Sequence, residues 1–145
     1  MTNGPPGVSR REPPAASIAP GTESALRTAA WFASVAGAAV SLGLMFYVGR
    51  RQPSVLLMVL FTGWVLGPYA GFWIADRWSR AWSPLERGAL YIVMLVSAIG
   101  SVAVYALVVF GPPRPKPAFY FLVVPVAAWL LAAIVIPTAA RLGRR

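Results

Sequence analysis

Few side chains in this sequence could do acid–base or ligand chemistry. Of 145 residues only Glu12, Glu23, Asp76 and Glu86 are acidic, against 13 Lys and Arg, and there is no histidine or cysteine. Disulfides, thiolate nucleophiles, haem or zinc held by His or Cys, and imidazole proton transfer are therefore excluded. Glu12 and Glu23 fall in a proline- and glycine-rich start. Asp76 and Glu86 bracket the segment Asp76-Arg77-Trp78-Ser79-Arg80-Ala81-Trp82-Ser83-Pro84-Leu85-Glu86-Arg87. If a helix runs on through this segment, Asp76 and Arg80 pair at i, i+4 and Trp78 shares a face with Trp82. That describes an interfacial turn with tryptophan anchors and an ion pair. The functional alternative for Asp76, Arg77, Trp78, Arg80 and Trp82 is docking of a lipid headgroup or a partner protein. Two carboxylates with no further ligands do not make a metal site, and no nucleophile–base pair is present. The expectation is no catalytic residue, no cofactor, no metal, and a protein that is not an enzyme.

The elements that must position these residues follow from composition. The chain is 58% hydrophobic and 12% charged, with a mean hydropathy of +0.66. A soluble domain carries roughly a quarter of its residues as charges. One small core cannot absorb this much apolar surface, so the chain reads as an integral membrane protein. Residues 28–49, 54–75, 88–110 and 118–140 contain no Asp, Glu, Lys or Arg. Each run matches the roughly 20 residues a helix needs to cross about 30 Å of hydrocarbon. Runs such as Val55-Leu56-Leu57-Met58-Val59-Leu60-Phe61 do not alternate as barrel strands do, so the spans are helices. The predicted fold is all-α, a four-span antiparallel transmembrane helical bundle (27–145) with a disordered N-terminal tail (1–26). Ser9-Arg10-Arg11 resembles the start of a twin-arginine export signal, but Glu12-Pro13-Pro14 follows where an apolar run is needed, so the first span is expected to be retained. Pro112, Pro113, Pro115 and Pro117 make the last connection a stiff strap.

Orientation follows the distribution of Lys and Arg. Arg10, Arg11, Arg27, Arg77, Arg80, Arg87, Arg141, Arg144 and Arg145 lie on one side; Arg50, Arg51, Arg114 and Lys116 lie on the other. The richer side, with both termini, is expected in the cytoplasm. Trp31, Phe32, Trp73, Trp78, Trp82 and Tyr91 form one interfacial belt; Phe46, Tyr47, Phe110, Phe119, Tyr120 and Phe121 form the other. Arginine in preference to lysine suggests a GC-rich, bacterial genome, hence a bacterial inner membrane. The net charge of +9 is scattered over helix ends, which fits anionic lipid rather than nucleic acid.

Membrane helices meet through small residues and polar contacts. Gly63, Gly67, Gly71 and Ala75 form one small stripe at four-residue spacing, and Ala29, Ala33, Gly37 and Ser41 form another. The simplest arrangement sets the two stripes face to face within one hairpin; the alternative uses one of them for a homo-oligomer. Arg27-Thr28-Ala29-Ala30-Trp31 resembles Arg87-Gly88-Ala89-Leu90-Tyr91, a faint sign that the hairpins are parallel repeats. Trp64 and Trp129 lie at mid-span and, with Ser97 and Ser101, are candidates for a polar crevice between the hairpins. No span carries an ionisable residue of the kind that ion-coupled transporters need. Two functions fit. The first is a structural or interaction component, partnering itself or another membrane protein through small-residue helix faces. The second is a channel or carrier for a small neutral or lipid-like substrate.

Overall fold

A computed structural model describes residues 20–112 and 117–142, without the side chains of Pro20, Arg80 and Pro117. Most of the expected tail and of the proline strap therefore lies outside the described residues. Four helices follow one another: α1 (Pro20–Gly49), α2 (Val55–Trp78), α3 (Pro84–Phe110) and α4 (Pro117–Leu142). All four are long and apolar enough to cross a membrane. The chain is thus an all-α, four-span bundle compatible with a multi-pass membrane protein.

The helix boundaries have local causes. α1 starts at Pro20, inside the stretch expected to be tail, because Pro suits a first helical turn and Glu23 complements the dipole there. Glu23 is also held by Arg87 of α3 at 3.2 Å, which ties this early turn to the bundle. Ser54 caps α2, its hydroxyl accepting from the Leu57 N–H. α2 ends at Trp78, where Ser79 donates its hydroxyl to the Asp76 carbonyl and its backbone N–H to Ala75. A 3-10 turn over Ser79–Ala81 then leads to α3. Ser83 and Glu86 form a reciprocal capping box with Pro84 in the first turn. This sequence of stop and start signals breaks the helix before Arg80, so the expected i, i+4 geometry with Asp76 does not arise.

In cross-section the helices run α1, α3, α4, α2 around a square, with the broadest interfaces between α1 and α3 and between α3 and α4. The two hairpins lie side by side, each helix next to its counterpart. α3 has the most enclosed surface of the four. Its Ala98 meets α1 at Gly37, where an added Cβ would lie 3.0 Å from the Ala98 Cβ. At one end Ala30, Phe72, Leu90, Tyr91, Met94 and Ala128 form the core. At the other Met45, Val65, Tyr105, Val108 and Phe121 do, with the Tyr105 and Phe121 rings stacked at 4.4 Å.

The small-residue stripes are placed differently from the simplest expectation. On α1 the buried small face is Ala30, Ser34, Gly37, Ala38 and Ser41, whereas Ala29 is exposed and Ala33 half-buried. On α2 the buried face is Val65, Pro68, Tyr69, Phe72 and Asp76. Gly67 and Gly71 turn instead toward Trp129 of α4, and Gly63 meets nothing within 4 Å of a would-be Cβ. The two stripes therefore do not face each other. Large aromatic residues of α2 fill the centre, and its glycines make a flat bed for the indole of a different helix.

Candidate functional site

The most polar site is built around Asp76, in the last turn of α2. Its side chain is 1% exposed, and it is bound from α1. Arg27 donates Nε to Oδ1 at 3.3 Å and Nη2 to Oδ2 at 3.0 Å, a two-pronged pairing that suits the planar guanidinium. The Trp31 indole donates to Oδ2 at 2.9 Å, one turn further along α1. Tyr91 of α3 is buried in the core at the same end of the bundle. Trp31 stacks flat on Trp73, with centroids 5.7 Å apart and planes at 3°. Two buried donors nearby, Trp73 Nε1 of α2 and Arg87 Nε of α3, find no acceptor among the described residues.

This arrangement corrects the local reading of the segment. Asp76 is occupied by Arg27 and Trp31 rather than held out for a ligand. Arg77 and Trp78 are exposed, Trp82 is half-buried against the core, and the Arg80 side chain lies outside the described residues. Trp78 and Trp82 no longer share a helical face, because the helix ends between them. Chemically, the Asp76 bonds can lock α1 to α2, while the Glu23–Arg87 pair ties α1 to α3. Among the described residues no three His, Cys, Asp or Glu side chains gather where they could hold a metal ion.

Arg27 and Trp31 are the partners that residue spacing missed. The available signal was positional: both lie at the same end of the bundle as Asp76, and Arg27 is the charge that bounds the first span. A spacing rule within one helix could not find a partner 49 residues away.

The mid-span polar residues do not converge either. The Trp64 indole donates to the Leu122 carbonyl of α4 at 3.1 Å, next to the helix turn that Pro125 disrupts. Trp64 is 43% exposed and Trp129 is 46% exposed, both on the α2–α4 seam. Ser97 and Ser101 lie elsewhere, in a furrow between α3 and α4 of about 330 Å³. The expected crevice shared by Trp64, Ser97, Ser101 and Trp129 is therefore not assembled. Ser41 instead hydrogen-bonds Tyr69 at 3.4 Å, and Ser34 Oγ is buried unpartnered.

The furrow is the second candidate site. Its lining includes the small residues Gly100 and Ser101 of α3 and Ala127 and Ala128 of α4, beside Val96, Val104, Val124 and Leu131. Gly100 is exposed, with nothing within 4 Å of a would-be Cβ. The adjoining Ser97 hydroxyl is enclosed and has no hydrogen-bond partner. Comparison with protein-family profiles, with curated proteins and with solved structures finds no match for this chain.

Proposed function

We propose that the protein is a non-enzymatic structural or interaction component of a bacterial inner membrane, associating with a further transmembrane helix through the α3–α4 furrow. One observation carries this reading: a mid-span groove in which Gly100, Ser101, Ala127 and Ala128 lie between larger Val and Leu side chains opens on the outside of the bundle. Small residues on a lipid-facing surface gain nothing from lipid, but they let a second helix approach closely enough for backbone packing. The helix that seats there comes from a second copy or from another membrane protein. The Asp76 bonds and the Glu23–Arg87 pair contribute by holding α1, α2 and α3 in register, so that the furrow keeps its shape. Both termini face the cytoplasm, in keeping with the nine-to-four division of basic residues.

The chain has no cysteine, so an introduced thiol is the only one present. Ala127→Cys in native membranes is expected to form a disulfide or a thiol-specific cross-link to a neighbouring chain. Gly100→Leu should abolish that cross-link and lower the mass of the complex released in mild detergent. If Ala127→Cys stays uncrosslinked and the released mass is that of one chain with or without Gly100→Leu, the furrow is not an association surface.

A further inference from the structure

At the end of the bundle opposite Asp76, the end of α1, the turn after it and the first turns of α2 and α4 line an open-sided cavity of about 260 Å³. Its walls are apolar: Met45 of α1, Met58 and Phe61 of α2, and Phe121 of α4. Met45 and Phe121 are themselves core residues, so this wall is fixed. Met58 reaches across to α1 because residue 49 is glycine; a Cβ there would lie 2.7 Å from the Met58 sulfur. Arg51 and Gln52, both exposed, stand at the mouth.

Charge at this end is unbalanced. Among the described residues the acids are Glu23, Asp76 and Glu86, and all three lie at the far end. Asp76 is paired there with Arg27, Glu23 with Arg87, and Glu86 caps the Ser83 N–H. Arg50 turns its guanidinium over the Tyr47 ring at 4.4 Å. Arg51 is left beside an apolar cavity, two residues past the end of α1, where lipid phosphates would lie if these helices cross a membrane. A guanidinium presents paired N–H donors that match phosphate oxygens. A hydrocarbon cavity beside such a cation suits a molecule with an anionic head and an apolar tail.

We propose that this cavity seats part of one acyl chain of an anionic glycerophospholipid, whose phosphate is bound by the Arg51 guanidinium and the Gln52 amide. A soluble anion would satisfy Arg51 but leave the cavity unfilled. The site shares no residue with the α3–α4 furrow and stands whether or not that furrow takes a helix.

Native mass spectrometry of the full chain in mild detergent, titrated with phosphatidylglycerol or phosphatidylcholine of identical acyl chains, tests the site. One phosphatidylglycerol per chain should be retained, with about a tenfold preference over phosphatidylcholine, whose choline cation offsets the phosphate charge and is repelled by Arg51. Arg51→Gln, at an exposed position, should bring that preference close to unity. Leu57→Trp, which fills the cavity from its rim, should lower retention of both lipids. Circular dichroism checks that each variant is folded, and Arg51→Gln suffices if Leu57→Trp is not. Equal retention of the two lipids by the native chain overturns the proposal, as does a preference unchanged by Arg51→Gln. Displacement of the lipid by equimolar inorganic phosphate would show an anion site without an acyl seat and overturns it too.

Discussion

Asp76 shows why a charge at a helix end has to be read in three dimensions. Its carboxylate is enclosed, whereas Arg27 is about half exposed, so the two halves of the pair are not equivalent on removal. Arg27→Ala leaves a buried anion with only the neutral donor of Trp31. Asp76→Ala removes the buried charge itself and returns Arg27 to water. Breaking a fully buried pair costs about 3–5 kcal/mol, and exposure of one partner lowers this, so Arg27→Ala should cost about 1–3 kcal/mol. Asp76→Ala should cost less, and the double variant should resemble Asp76→Ala rather than the sum of the two. Thermal unfolding of the four proteins in one detergent, arranged as a double-mutant cycle, measures this. Asp76 itself was legible in the sequence as one of two acids bounding the central loop. Its partner was not, because the i, i+4 rule presupposes a continuing helix. The stop signals were nonetheless present: Ser83, Pro84 and Glu86 spell a capping box, which obliges the chain to leave α2 beforehand.

For the helices, the sequence showed where each one runs but not which way it faces. Span limits follow from charge and length, and the structure departs from them mainly by starting α1 at Pro20 and α3 at Pro84 and by extending α2 to Trp78. Facing direction is a different matter. A soluble helix advertises its buried side by polarity, whereas a helix that is apolar all round carries no such contrast. Small-residue spacing was the remaining cue, and it is degenerate. Gly63, Gly67 and Gly71 share a stripe, yet only Gly71 is pressed, with a would-be Cβ 2.5 Å from the Trp129 ring against 3.9 Å at Gly67 and open space at Gly63. Gly71→Leu should therefore lever Trp129 off α2 and destabilise the bundle by about 1–3 kcal/mol. Gly63→Ala should be neutral or stabilising by up to about 1 kcal/mol, the helix-propensity difference. Trp129 fluorescence cannot be isolated among six tryptophans, so thermal unfolding is the better readout.

For the whole molecule, four crossings place alternate connections on opposite sides of the membrane. Reporter fusions after Trp82 and after Arg114 should therefore report opposite compartments, and agreement between them would refute the four-span arrangement. If the richer basic side is cytoplasmic, the Trp82 fusion gives the cytoplasmic signal. The arrangement of α1 beside α3 also bears on how the protein is made. Chains emerge from the ribosome amino terminus first, so α1 enters the bilayer before Arg87 and Ala98 of α3 do. During that interval Glu23 has no counter-ion and the groove at Gly37 has no occupant. A released chain truncated after residue 83 is thus an orphan hairpin, and cellular quality control should degrade it far sooner than the full-length product. Pulse–chase labelling of the two lengths would reveal the difference in lifetime.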